Sequence, residues 1–72
     1  MTFSEKIRML RNETKLSQPA IAAKIGISMR GYQDMELGRL PRYEKLLCIA
    51  DYYDVSVDWL MGRTENRYAH RS

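Results

Sequence analysis

Two runs of helical character meet between Leu16 and Glu36, with only Gly26-Ile27-Ser28 to join them. The first, SQPAIAAKI, opens on Ser17, and the second, SMRGYQDME, opens on Ser28. Each Ser follows an apolar residue and precedes another by four positions: Leu16 with Ile21, Ile27 with Tyr32. This is the pattern of an N-capping hydroxyl with a hydrophobic staple, in which the residue before the cap packs on the fourth helical residue. Val55-Ser56 with Leu60 repeats it, so helices are expected to start at 17, 28 and 56. Pro19 suits a first turn, whose amides have no helical partner to lose. Gly26 suits the left-handed residue that ends a helix without Cβ strain. So short a joint forces the two helices to cross sharply, and Ala20, Ala22 and Ala23 let them approach. Apolar residues 21, 25, 27, 32 and 35 are expected to supply their shared core. The combination is a helix-turn-helix.

The rest of the chain supplies two more helices. Phe3, Ile7 and Leu10 mark one face of a helix over about 3–14, and Tyr43, Leu46, Ile49, Ala50 and Tyr53 mark another from just after Pro41 to about Asp54. No stretch alternates with period two for long enough to suggest a strand. Gly62 is expected to end the last helix, with Arg63–Ser72 a loose polar tail. With 72 residues there is room for one domain. The expected fold is all-α: a compact five-helix domain over 1–64, followed by a polar tail over 65–72.

Several classes of function are disfavoured at once. Cys48 is the only cysteine and lies in the apolar run LLCIA, which reads as a small buried hydrophobe and not as half of a disulfide. His70 is the only histidine and sits in the tail without a ligand-spaced partner, so no metal is expected. No paired nucleophile and base and no phosphate-cradling glycine loop are visible, so neither enzyme activity nor a cofactor or small-molecule ligand is indicated. MTFSEKIRML lacks the apolar core of a signal peptide, and no apolar run approaches the ~20 residues of a membrane span. The chain is expected to be cytoplasmic.

Charge is one-sided. Residues 1–42 hold eight Lys and Arg against four Asp and Glu, whereas residues 43–72 hold four against five. The basic half is the half with the helix-turn-helix, which suggests a polyanionic partner, although an ordinary solvated surface explains the excess equally well. On the second helix of the pair, Tyr32, Met35 and Glu36 share one face. The opposite face carries Arg30 and Asp34, with Gln33 and Leu37 at one edge, Gly31 at the other, and Met29 at the exposed start. In the DNA-binding form of this motif the second helix lies in the major groove. There Arg can contact guanine bidentately, Asp can accept from the cytosine amino group, and Met can pack on a thymine methyl. The other reading of the same face is solvated surface, with Arg30 and Asp34 as an i,i+4 pair.

The chain also resembles the Cro/repressor helix-turn-helix proteins, the XRE family, over residues 3–64. The resemblance rests on IRMLR (7–11), LSQPAIAAKIGIS (16–28), Tyr32, MELG (35–38), Pro41, LLCIADYYDVSVDWL (46–60) and GRT (62–64). It implies a lambda-repressor-like DNA-binding fold and a regulator of transcription that binds specific operator sequences in double-stranded DNA, usually as a dimer. Carried over residue by residue, it implies base-reading positions at Met29, Arg30, Gln33 and Asp34. It implies phosphate contacts at Ser17, Gln18, Ser28, Arg39, Arg42 and Tyr43, and a partly buried ion pair between Arg11 and Glu36. The sequence departs from the family at Gly31, in the reading helix, and at Met29, where a hydrogen-bonding side chain is usual. It departs again at Arg42, where a Ser commonly follows the proline. The same fold also serves in antitoxins, which bind a partner protein as well as DNA.

One domain of this size contacts few base pairs, which favours a twofold homodimer on two half-sites. Val55 and Leu60 are committed to the core by the staple, leaving Trp59 and Met61, with Tyr53 beside them, as candidates for the dimer contact. Tyr68 lies in position to extend it. The competing expectation is that Trp59 closes the domain's own core.

Overall fold

The computed structural model describes residues 1–68, so His70 lies outside the described residues. Five helices follow in chain order: α1 (Phe3–Thr14), α2 (Gln18–Ile25), α3 (Met29–Glu36), α4 (Tyr43–Tyr53) and α5 (Val57–Leu60). Four begin on a hydroxyl cap. Ser17 Oγ accepts from Ala20 N, Ser28 Oγ from Gly31 N and Ser56 Oγ from Trp59 N, at 3.3, 3.0 and 2.8 Å. The fourth is a reciprocal box at the start of α1, where Glu5 N donates to Thr2 Oγ1 and Thr2 N to Glu5 Oε1. Its signature, Thr-x-x-Glu, stands in the sequence at 2–5. Arg42, at the cap of α4, makes no side-chain cap bond, since a guanidinium has no acceptor to offer the helix's free N–H groups.

The joint between α2 and α3 forms as its residues demand. Gly26 takes φ +88°, and both Gly26 N and Ile27 N donate back to the Ala22 carbonyl, at 2.9 and 3.0 Å. Ser28 then restarts helix immediately. α3 packs on α1 and α2, while α4 closes the domain by packing on α2 and α5. Ile7, Leu10, Ile21, Ala22, Tyr32, Met35, Ile49, Val55 and Leu60 all lie in the resulting core. Ile27 is only half-buried at its edge.

Four expectations need correction. Cys48 is exposed, because Leu46, Ile49, Ala50 and Tyr53 define the inner face of α4 and position 48 falls opposite them at ~100° per residue. Trp59 is not an outward-facing group: only 7% of it is exposed. Lys6, itself buried, lies 4.9 Å from the centre of its ring and donates from Nζ to its carbonyl. Arg67 also lies against the ring, with its guanidinium carbon 5.3 Å from the ring centre. Nor is the segment after α5 loose as far as Tyr68. The Arg67 carbonyl accepts from Ser56 N at 2.7 Å, and its guanidinium makes two 3.0 Å bonds to Glu13. Those bonds hold the Glu13 carboxyl below its ordinary range. Tyr53 is half-buried with its ring edge-on to Tyr52 and its hydroxyl covered, which removes most of it as an outward contact. Met61 alone of the proposed trio remains substantially exposed, at 40%.

Trp59→Ala should therefore cost about 3–5 kcal/mol of stability, as expected for a buried aromatic, whereas Met61→Ala should cost less than about 1 kcal/mol. Urea unfolding followed by circular dichroism measures both. Equal costs would mean that the indole is not seated in the core.

Candidate nucleic-acid interface

α3 is anchored on one side and open on the other. Its inner face presents Tyr32, Met35 and Glu36, all buried. Glu36 is the unusual member, a carboxylate 6% exposed at the end of the helix. Arg11 Nε donates to its Oε2 at 2.6 Å and Arg11 Nη2 to its Oε1 at 3.3 Å, so the expected pair is present. Gln18 Nε2 donates to the same Oε1 at 3.0 Å. Arg8 Nη1 donates to the Glu36 main-chain carbonyl at 3.1 Å, meeting one of the C-terminal carbonyls that a helix leaves unpaired. Burial pushes the Glu36 carboxyl up. Hydrogen bonds from Arg11 and Gln18, with the charge of Arg11, outweigh it and leave the group ionised below its ordinary range. Burial, then the adjacent carboxylate, push the Tyr32 hydroxyl far above the ordinary tyrosine value.

The open side carries the residues that resemblance marks for base contact. Arg30 and Gln33 are exposed, and Met29 and Asp34 are half-buried. Asp34 faces Arg39, 3.8 Å from Nη1, and not Arg30 as an i,i+4 pairing would have it. The chain turn at Gly38 causes this by bringing the loop back under α3, where Arg39 N also donates to the Asp34 carbonyl at 2.9 Å. Gly31 lies in the first turn of α3. It is the third residue of an eight-residue helix, and a Cβ there would come within 3.0 Å of Ser28 Oγ, the capping atom. Its absence of side chain thus leaves the cap undisturbed.

The expected phosphate-contacting residues divide into two groups. Ser28, Arg39 and Arg42, together with Gly31 and Asp34, line an open groove of about 400 Å³ between the α2–α3 joint and the loop before α4. Lys45 completes its rim, with Nζ 3.4 Å from the Gly26 carbonyl that it bonds. Nothing about Lys45 as an isolated sequence position marks it, because its place depends on how α4 returns to the joint. Tyr43 is 65% exposed at the start of α4. Ser17 is exposed at the start of α2, whereas Gln18 turns inward to Glu36. Arg8, missed in the sequence, lies one helical turn before Arg11 and shares its side of α1.

An anchored first helix pair, a polar outward α3 and a basic rim define a helix-turn-helix domain of the DNA-binding kind. Residues 7–60 match the Helix-turn-helix family, and the chain belongs to it, in its XRE or Cro/repressor form. Among similar proteins are two from Bacillus subtilis (strain 168) named as uncharacterized HTH-type transcriptional regulators. YobD is 37% identical over 65 residues, 89% of this chain and 58% of its own length. YqaE is 40% identical over 65 residues, again 89% of this chain and 56% of its own length. The cryptic phage CTXphi transcriptional repressor RstR of Vibrio cholerae is 38% identical over 64 residues, 88% of this chain and 57% of its own length. The chain thus spans a little over half the length of these relatives. Among the described residues no helix is long and apolar enough to cross a membrane.

The ion pair carries a pH signature. Because the Glu36 carboxyl is held below its ordinary value of 4.5, its contribution is complete above that value and is lost as pH falls through the lower folded-state value. Glu36→Gln should cost about 2–3 kcal/mol at neutral pH, less than the ~3–5 kcal/mol of a fully buried pair because Arg11 is partly exposed. The variant's deficit should shrink below pH 4. A constant deficit from pH 7 to pH 3 would show that the carboxylate's charge is not what stabilises the fold.

Proposed function

We propose that this domain is a transcriptional repressor that binds specific duplex DNA as a twofold dimer, with α3 of each copy in the major groove. The observation that carries the proposal is the division of α3, anchored through Tyr32, Met35 and Glu36 while Arg30 and Gln33 stand clear on the other side. In this reading Met29, Arg30, Gln33 and Asp34 meet base edges. Ser17, Ser28, Arg39, Arg42 and Tyr43 hold the phosphates on either side, and Gln18 contributes its second N–H. Asp34 is tolerated beside a polyanion because Arg39 faces it. That exposed pair is worth at most about 1 kcal/mol, so a phosphate can take Arg39 and a cytosine amino group can take Asp34 at little expense.

Arg42→Ala should weaken binding to all duplexes about equally and make the dependence on log salt shallower by about one unit, as for one lost phosphate contact. Arg30→Ala should instead cost about 1–3 kcal/mol on the preferred site and relax preference at one base pair. Titrations of preferred and scrambled duplexes at several salt concentrations separate the two. Arg30→Ala weakening both equally would remove Arg30 from base reading.

The dimer contact in this reading is built around exposed Met61, with Tyr68 extending it, and not around Trp59. Sedimentation of the protein–duplex complex should give two chains per site. Met61→Glu should reduce affinity and make binding more dependent on protein concentration, with the melting temperature unchanged. One chain per site would exclude the dimer.

A further inference from the structure

Two cations lie against the Trp59 ring, and only one of them meets a counter-charge among the described residues. Arg67, 5.3 Å from the ring centre, is paired with Glu13 through two 3.0 Å bonds. Lys6, 4.9 Å from the same centre, is 6% exposed and gives one N–H to the Trp59 carbonyl. No carboxylate of the described residues pairs with it: the ion pairs are Arg11–Glu36, Arg39–Asp34, Arg63–Asp58 and Arg67–Glu13. A carbonyl and a ring face offset part of the cost of burying an ammonium. They leave its charge in place and its remaining N–H groups still to give. Nothing in the sequence marks this arrangement, since Lys6 and Trp59 meet only in the fold.

We propose that Lys6 is the charged end of a binding site for a small monocarboxylate that carries a short hydrocarbon chain. Lys6 stands in the walls of two open clefts, which also share Met1 and Gly62. The first, of about 310 Å³, has Trp59, Thr64 and Glu65 in its wall. The second, of about 260 Å³, is walled by Phe3, Leu40, Leu60 and Met61. A phosphate dianion would meet a single cation here, whereas a monocarboxylate balances Lys6 one for one. Its oxygens can accept the N–H groups that the Trp59 carbonyl leaves over. The second cleft, being apolar, takes the hydrocarbon chain, which gains by leaving water. Glu65 is exposed and makes no ion pair with Lys6. It therefore opposes the ligand's charge from one wall without neutralising the lysine.

Occupancy of this site bears on assembly. Met61 stands in the wall of the second cleft and at the centre of the proposed dimer contact, so a bound hydrocarbon chain and a second copy compete for it. That consequence rests on the dimer reading. Binding of the carboxylate does not.

The single tryptophan reports occupancy directly, because Trp59 lines the first cleft. Titration with sodium octanoate, kept below its micellar concentration, should change the Trp59 fluorescence saturably. Octanol has the chain without the charge, and acetate the charge without the chain. Each should bind at least about tenfold more weakly than octanoate. Lys6→Met, which keeps length without the ammonium, should bind octanoate no better than octanol. Two exposed residues keep the test independent of how that variant folds. Glu65→Gln should tighten octanoate about twofold to threefold by removing a like charge, with octanol unchanged, and Leu40→Glu should weaken both. Equal affinity of wild type for octanoate and octanol would overturn the carboxylate site, as would Glu65→Gln binding octanoate no more tightly. A purely structural Lys6 would give no saturable change at all. Octanoate should also lower the duplex affinity of wild type and leave that of Lys6→Met unchanged. If the fluorescence saturates while duplex affinity holds, the competition at Met61 is wrong and the site stands. If wild type binds no duplex, the DNA-binding reading fails, and the fluorescence titration still decides the site.

Discussion

The carboxylate of Glu36 is the point on which three helices are hung. It sits on α3, takes bonds from Arg11 on α1 and from Gln18 on α2, and is nearly closed to solvent. A buried carboxylate is a liability unless its lone pairs are filled, since breaking such a pair strands a charge in a low-dielectric site. Here it is filled from two directions, and Arg8 meets the helix end beside it through the main-chain carbonyl. Apolar attraction is non-directional, so by itself it specifies the register of α3 on α1 and α2 less sharply than a hydrogen-bonded pair does. A carboxylate that must meet one guanidinium and one amide has only one register. Position and rotation of α3 follow, and with them which of its residues face outward.

Most of the fold is legible in the sequence because it is built from local signals. The three Ser staples, the glycine at 26 and the two apolar stripes each lie within one or two turns of the element that they define. Helices α1 to α4 accordingly lie within a residue or two of where those signals place them. Thr2 and Glu5 carry an equally local signal, overlooked beside the stronger apolar stripe that follows.

What escapes local reading depends on partners far away in the chain. Lys6 is buried only because Trp59, 53 residues on, offers both a ring face and a carbonyl. Trp59 belongs to the core and is covered further by Lys6 and Arg67, the latter held by Glu13. No periodicity in residues 56–68 contains that information. The pairing of Asp34 with Arg39 in place of Arg30 belongs to the same class, since helical spacing favours Arg30 while the turn at Gly38 delivers Arg39. The candidate site was legible as a set of positions on α3 and its flanks, but the bonds that orient those positions were not. The Arg11–Glu36 pair was reached through family resemblance, since nothing in its spacing demands it.

The orienting bonds bear on how such a surface discriminates at all. A long exposed side chain loses up to ~2 kcal/mol of rotamer freedom when it is fixed, and that loss offsets much of what one base contact returns. Arg30 stands free and would bear the loss in full at the moment of binding. Gln33 is already tied to Gln18, and Asp34 already faces Arg39, so part of their ordering is completed when the domain folds. The same buried carboxylate that fixes the register of α3 thus lowers the entropy lost at Gln33. In the proposed DNA-binding reading, stability and readout share one network in this domain. In that reading a sequence change at Arg11, Gln18 or Glu36 acts first on where α3 sits, and so on which of its residues face the DNA, without any of these side chains having to touch a base.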